Sequence, residues 1–378
     1  MINMKEGRFE KIIGIVILVA VIMSVVLLKS CSKDMKGKKG DLIYAAVGGG
    51  KEDLLADEEI NEIFLNKYNF TMVGDSWSNG KTVKDRVVRA DGSNYDLIFF
   101  SDQRFYDYYK TSPRPGEAER DYVLDGDLTL NTPIVIYSWD VVVDALIKEN
   151  IVTVVNGVHY ITDMNKLINY ILEEKKWSDI GLNNIYGNIN INSTDPVTSS
   201  PGATYYGLLL SIMSDGVVDS ENINNVLPKL KEFYIKSGYM NNTPADLFEM
   251  FLKTGVGAKP MIVDYEKSII DFANSNPDGW NQVKDKVRIL YPTPTIWNSH
   301  CIAALTEDGK RVLNAFDDKK VSQISWEKYG FRVGITGGNY DVSKTLPGIP
   351  QTIDSVTSGL KMDVYNTLIN YLAEGTQN

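Results

Sequence analysis

Residues 131–149 read NTPIVIYSWDVVVDALIKE. From Thr132 to Trp139 the run is apolar and β-branched with no charge, as a strand buried on both faces requires. From Asp140 the apolar residues recur at helical spacing. A strand that passes directly into a helix is the repeating unit of an α/β fold, and the alternation continues in both directions. Upstream, DLIYAAV (Asp41–Val47) reads as a strand, Gly48-Gly49-Gly50 as a turn, and Leu54, Leu55, Ile60, Ile63 and Phe64 as the apolar face of a helix. NFTMVG is a second strand, a helix is predicted over about 80–90, and YDLIFF (Tyr95–Phe100) is a third strand ending at Ser101-Asp102. Downstream, helices are predicted near 163–174, 220–237, 244–253, 307–316, 322–328 and 353–373. IYGNINI reads as a strand, KPMIVDYEKSIIDFA as strand then helix, and KVRILYPTPTIWNSHCIAAL as two strands joined through Pro292 and Pro294. The pattern predicts a mostly parallel sheet covered on both faces, without internal repeats.

The chain has 378 residues, 43% hydrophobic and 10% aromatic, which permits a sizeable core and a two-lobed body. The first 40 residues stand apart. Lys5, Arg8 and Lys11 precede the uncharged run IIGIVILVAVIMSVVLL (Ile12–Leu28), and a Lys/Gly-rich linker follows. This run is expected to insert in a membrane. Two outcomes stay open: an uncleaved single-pass anchor, or lipid modification of Cys31. LLKSCS resembles a lipoprotein cleavage site, with Leu28 and Ser30 fitting and Lys29 departing. The body is expected on the extracellular face of the cell membrane. Lysines on both flanks orient the segment weakly, so an inward orientation also stays open. The chain carries a net charge of −10, while residues 1–40 carry +5, which leaves −15 on the body. That balance excludes nucleic acid as a partner. The body has one cysteine, Cys301, so it contains no internal disulfide.

Several motifs fail on spacing. VGDSWSNGKT puts five residues between Gly74 and Gly80, where a phosphate loop needs four. GGGKED lacks the third glycine of a dinucleotide fingerprint. The only histidines are His159 and His300, so no zinc-protease pair exists, and each reads as an ordinary structural or surface residue. No Gly-x-Ser-x-Gly elbow is present. Cys301, in CIAAL, reads as a small buried hydrophobe. No nucleophile and base are paired, so the chain reads as a non-enzyme, and no cofactor or metal is implied.

The order of parts resembles the bacterial extracellular solute-binding proteins of ABC transporters, the type II periplasmic-binding-protein-like family. TDPVTSSPGATYYGLLL resembles the second-lobe loop and helix of that family. MIVDYEKSIIDFA resembles its Tyr-Glu strand and helix, and YPTPTIWNSHCIAALTEDGKRVLNAF with SWEKYGFRVG its closing segment. The resemblance implies two lobes, each a central sheet flanked by helices. Lobe 1 is 41–133 plus 295–378 and lobe 2 is 134–294, with 1–40 as membrane segment and linker. It implies a small-molecule or anion ligand and an ABC permease or other membrane partner. The triple glycine departs from the serine-rich first loop of small-oxyanion members. A surface-anchored sensor or scaffold that keeps the fold without transport is the alternative.

The segment STDPVTSSPGATYYGLLLSIM (Ser193–Met213) concentrates six hydroxyls before an apolar helix. Ser200 is read as the N-cap and Pro201 as the first helical residue. A helix start there offers open amides and about half a positive charge to an anion. The expected ligand set on this side is Thr198, Ser199 and Ser200. Facing it are the strand-end loops with Gly49, Gly50, Ser76, Trp77, Ser78, Ser101 and Asp102. Thr132 stands where the chain crosses between lobes, and Tyr265 and Glu266 open a second-lobe helix.

Overall fold

The computed structural model describes residues 40–76, 88–111, 123–214, 216–238, 240–241, 243–334 and 346–374. The membrane segment, Cys31, Trp77 and Ser78 lie outside them. Among the described residues no helix is long and apolar enough to cross a membrane.

The described chain divides into two compact units. The described part of the smaller holds 40–43 and Glu52–Val73; the larger holds Tyr44–Lys51 and everything described beyond Gly74. In the smaller unit, the helix predicted after the triple glycine is two helices, α1 (Glu52–Leu55) and α2 (Glu58–Tyr68). Asp57 interrupts the run because its carboxylate caps α2, accepting the Ile60 amide at 3.0 Å. Asn69, left-handed at φ 55°, ends α2, and Phe64 packs on Phe70 with ring centroids 5.0 Å apart.

Strand β1 (Asp41–Val47) enters the larger unit at Tyr44, and β2 (Phe70–Ser76) ends in it. The order then runs β3 (Leu97–Phe99), α3 (Gln103–Thr111), β4 (Asp125–Trp139), α4 (Asp140–Lys148), β5 (Val152–Val155), β6 (Val158–Ile161), α5 (Met164–Leu172) and α6 (Ser200–Met213). Next come α7 (Leu227–Lys236), α8 (Pro244–Thr254), β7 (Met261–Tyr265), α9 (Lys267–Ser275), α10 (Pro277–Val283), β8 (Val287–Pro292) and β9 (Thr295–Ala304). The chain finishes with α11 (Glu307–Phe316), α12 (Lys319–Glu327), β10 (Arg332–Val333), β11 (Val356–Thr357) and α13 (Met362–Ala373).

β4 organises this unit. Its residues from Thr129 to Trp139 are all buried. Its first half, up to Pro133, pairs antiparallel with β9, which pairs with β3, which in turn runs parallel to β1. From Ile134 onward β4 changes partners, taking β7 on one edge and β8 on the other, both antiparallel. β8 runs parallel to β6, and β6 closes a hairpin with β5. The sheet is therefore mixed rather than mostly parallel, because β4 and β9 are long return strands and not crossover strands.

The large core cluster surrounds the second half of β4. Helix α6 lies within it, buried on every side from Pro201 to Ile212, as its all-round apolar sequence requires. A smaller cluster packs Ala46, Ile98, Phe100, Tyr106, Tyr109 and Cys301 together. Cys301 is fully buried, as expected, and burial pushes its thiol well above the ordinary range.

Three predicted elements differ. IYGNINI forms no strand; Asn188 makes one isolated bridge to Lys176. Gly187, Asn188 and Asn190 leave too few consecutive extended residues to pair. The final helix starts at Met362 rather than 353, because Gly359 interrupts the pattern ahead of it. Of the helix predicted over 80–90, residues 80–87 lie outside the described ones, and 88–90 are not helical.

Candidate functional site

The start of α6 is built unlike an ordinary helix start. The loop ahead of it is held by Asp195, whose carbonyl accepts the amides of Thr198 at 3.2 Å and Ser199 at 2.9 Å. Ser199, not Ser200, is the N-cap: its backbone is extended at φ −128° and ψ 131°, and its carbonyl takes the first helical bond from Ala203. Ser200 and Pro201 are the first two helical residues. The Ser199 side chain does not cap; its hydroxyl donates to Thr194 Oγ1 at 2.8 Å. A capping serine normally turns its oxygen onto the second or third amide of the helix. Here the amides of Ser200 and Gly202 carry no hydrogen bond among the described residues, and Pro201 has none to give. Gly202 is required, because a Cβ there would stand 2.3 Å from the Thr194 carbonyl.

Tyr265, the last residue of β7, joins this helix start. It is 8% exposed, and its hydroxyl has no hydrogen bond of acceptable geometry among the described residues. The Ser200 and Thr204 hydroxyls stand next to it, and Asp102 and Arg104 act on it through their charges; burial, then the Asp102 charge, raises its pKa. Asp102 opens α3 and accepts the Arg104 amide at 2.8 Å and the guanidinium at 2.9 and 2.5 Å. The Arg104 guanidinium lies 4.2 Å from the centre of the Tyr365 ring, which comes from α13. The Asp102 carboxylate is thus paired with the Arg104 guanidinium, and the open end of α6 lies beside the hydroxyls of Ser200, Thr204 and Tyr265. Such a site favours an anion or a polarised oxygen.

The other expected residues divide. Gly49 and Gly50 are exposed at the end of β1, and Gly50 has φ 88°. Ser76 and Thr198 are exposed and Ser101 is half-buried. Thr132 is fully buried, and its hydroxyl accepts the Lys267 amide at 3.2 Å. Glu266 is 0% exposed and is held bidentate by Arg332, at 2.7 and 2.8 Å, with the Tyr291 hydroxyl at 2.7 Å. Arg332 also donates to the carbonyls of Pro350 and Gln351. Glu266 therefore ties β7 to β10 and to the segment before β11.

Sequence reasoning passed over Arg104, Asn298 and Tyr365, counted Thr204 only as one of the six hydroxyls of 193–204, and read His300 as an ordinary structural or surface residue. For the strand residues a signal existed: Asn298 and His300, two residues apart, share one face of β9 just before its apolar run Cys301–Ala304.

A separate hollow of about 310 Å³ is lined by Asp163, Met164, Ser211, Ile212, Thr293, Pro294 and Thr357 among others. It touches the opposite end of α6, about 17 Å along the helix from Ser200 at 1.5 Å per residue. There the helix dipole is negative, and Asp163 already caps α5 through the Lys166 amide at 2.8 Å. The open amides favour the other end.

Comparison with solved structures identifies the architecture. A protein of Bordetella parapertussis described as an extracellular solute-binding protein superposes with a TM-score of 0.59 at 13% identity, covering 88% of this chain and 96% of that one. The substrate-binding protein of an ABC transporter from Agrobacterium tumefaciens gives 0.52 at 14%, covering 90% and 96%. A Trichodesmium protein solved with iron and citrate gives 0.53 at 13%, covering 88% and 97%. No family model matches the sequence, and no curated protein matches it. At these identities the likeness shows the fold, which is of the type II periplasmic-binding-protein kind.

Proposed function

We propose that this chain is a membrane-anchored extracellular receptor that captures a small anionic solute between two lobes and presents it to an ABC-type transporter. The observation that carries the reading is the start of α6: two open amides, an N-cap serine turned away from them, and the buried, unpartnered hydroxyl of Tyr265. A buried polar group without a partner costs about 1–3 kcal/mol, so a site that keeps one is prepared for something that supplies the bond. The fold supports the same reading through its solved relatives. The change of partners along β4 between Pro133 and Ile134 supports lobes of 41–133 with 295–378 and 134–294. The ligand set on this reading is Ser199, Ser200, Thr204 and Tyr265. On this reading Gly49, Gly50, Ser101 and the Asp102–Arg104 pair complete the site; Trp77 and Ser78, also expected there, lie outside the described residues. Glu266 and Thr132 hold the frame rather than the solute. Residues 1–40 supply the anchor, with Cys31 lipidated or the segment retained whole.

A thermal-shift screen of the purified full chain against oxyanions, carboxylic acids, amino acids, sugars and metal ions tests this. A true ligand at a hundred times its Kd stabilises the folded form by about 2.7 kcal/mol. A panel in which no compound moves the melting midpoint rejects the receptor reading.

A further inference from the structure

Asn298 and His300, two residues apart on β9, are 4% and 3% exposed. Their side chains touch, with Asn298 Nδ2 3.2 Å from His300 Nε2. An amide nitrogen has hydrogens and no free lone pair, so Nδ2 donates and Nε2 accepts. The neutral imidazole then carries its proton on Nδ1. Burial first, and then the charges of Lys51 and Lys267, push the ring's pKa well below its ordinary value and keep it neutral. Two atoms are left over: Nδ1–H of His300, a donor, and Oδ1 of Asn298, an acceptor. Both are buried and neither has a partner among the described residues.

The pair borders the site described above. Asn298 lies directly across from Thr132 in the β4–β9 ladder. Thr132 accepts the amide of Lys267, two residues after Tyr265. A Cβ on Gly50 would meet His300 Cε1 at 3.7 Å. Phe331 packs edge-on against the imidazole, centroids 5.1 Å apart, and the Lys267 ammonium lies 5.0 Å from the centre of that ring. The Lys267 ammonium is itself paired with Asp271 at 3.3 Å, and the open atoms of the pair are one donor and one acceptor side by side.

We propose that Asn298 and His300 are a specificity pair of this receptor, reading an anion that carries an O–H next to its charge. His300 Nδ1–H donates to the anionic oxygen, and Asn298 Oδ1 accepts from the ligand's hydroxyl. This inference rests on the receptor reading and narrows its ligand class. Two sources share the chemistry, a 2-hydroxycarboxylate and hydrogen phosphate. An anion lacking the O–H leaves Asn298 Oδ1 buried and unpaired, which lowers its affinity.

Isothermal titration of the full chain with glycolate against acetate, and with phosphate against sulfate at pH 7.5, separates the two sources. The hydroxyl-bearing member of one couple is expected to bind about tenfold or more tightly than its counterpart. In Asn298→Leu that preference is expected to collapse. Equal binding within both couples, or a preference that survives Asn298→Leu, overturns the inference. Should that variant not fold, the wild-type chain suffices, since its only histidines are His159 and His300. Imidazole nitrogen spectra are expected to show His300 Nδ1 moving on saturation while His159 stays in place. An unmoved Nδ1, the result for a site that holds only water, overturns the inference. A ligand found in the wider screen that leaves Nδ1 unmoved removes this pair and leaves the receptor standing; a screen without any ligand removes both.

Discussion

Replacing Glu266 by Gln tests whether that residue serves the frame or the solute. Glu266 and Arg332 are 0% and 1% exposed and share two hydrogen bonds of 2.7 and 2.8 Å. Gln keeps the shape and removes the charge. Arg332 would remain buried as a cation, holding only the carbonyls of Pro350 and Gln351 at 2.8 and 2.9 Å. Breaking one side of a buried pair costs about 3–5 kcal/mol, whereas replacing both sides by matched apolar groups is often neutral. Glu266→Gln is therefore expected to destabilise by about 3–5 kcal/mol, and Glu266→Gln combined with Arg332→Met by markedly less. Urea unfolding at pH 7 measures both, and titration of the remaining folded protein measures ligand affinity. A loss of stability below about 1 kcal/mol together with a large loss of affinity would refute the structural role.

Three further expectations follow from the same residues. Tyr265→Phe removes an unpartnered buried hydroxyl, so stability should hold or rise while ligand affinity falls by about 1.5–3 kcal/mol, read by denaturation and titration in parallel. Gly202→Ala drives a methyl to 2.3 Å from the Thr194 carbonyl; moving that loop should cost about 1–3 kcal/mol and weaken binding, measurable by melting and calorimetry. Burial lifts Asp264 from 3.8 to about 6, with the Tyr265 amide bond as a partial offset. The folded state thus holds a proton that the unfolded state releases, and stability contributed by this residue falls as pH rises through that window. Asp264→Asn should then stabilise the protein by up to about 3 kcal/mol at pH 8, an advantage that disappears near pH 4; a destabilised variant at pH 8 contradicts the sign.

The strands that carry the fold were readable because each contains an apolar stretch bounded by glycine, proline or polar residues. DLIYAAV, the PIVIYSW half of β4 and the two strands around Thr293 all have that form. The first seven residues of β4 (Asp125–Asn131) were hidden, since DGDLTLN alternates with acidic residues as a half-exposed strand does. The β5–β6 hairpin was also missed, although Asn156-Gly157 between VTVV and VHYI is a strong two-residue turn signal; both turn residues have positive φ, 51° and 80°. At the site, the crowd of hydroxyls before α6 was visible, yet their assignment was not. Which serine caps, and whether it caps at all, depends on Thr194 folding back onto Ser199. Glu266 looked available because nothing local indicates that Arg332, 66 residues further on, reaches it. Such long-range pairings leave no periodic trace.

The central claim is that the open start of α6, with the Tyr265 hydroxyl, is where the solute sits. A crystal structure of the chain with a ligand from the thermal screen tests it most directly. The account predicts ligand oxygens within hydrogen-bond distance of the Ser200 and Gly202 amides and of Tyr265 Oη. A ligand seated instead in the hollow beside Asp163 and Thr293, with those amides still unbonded, contradicts it.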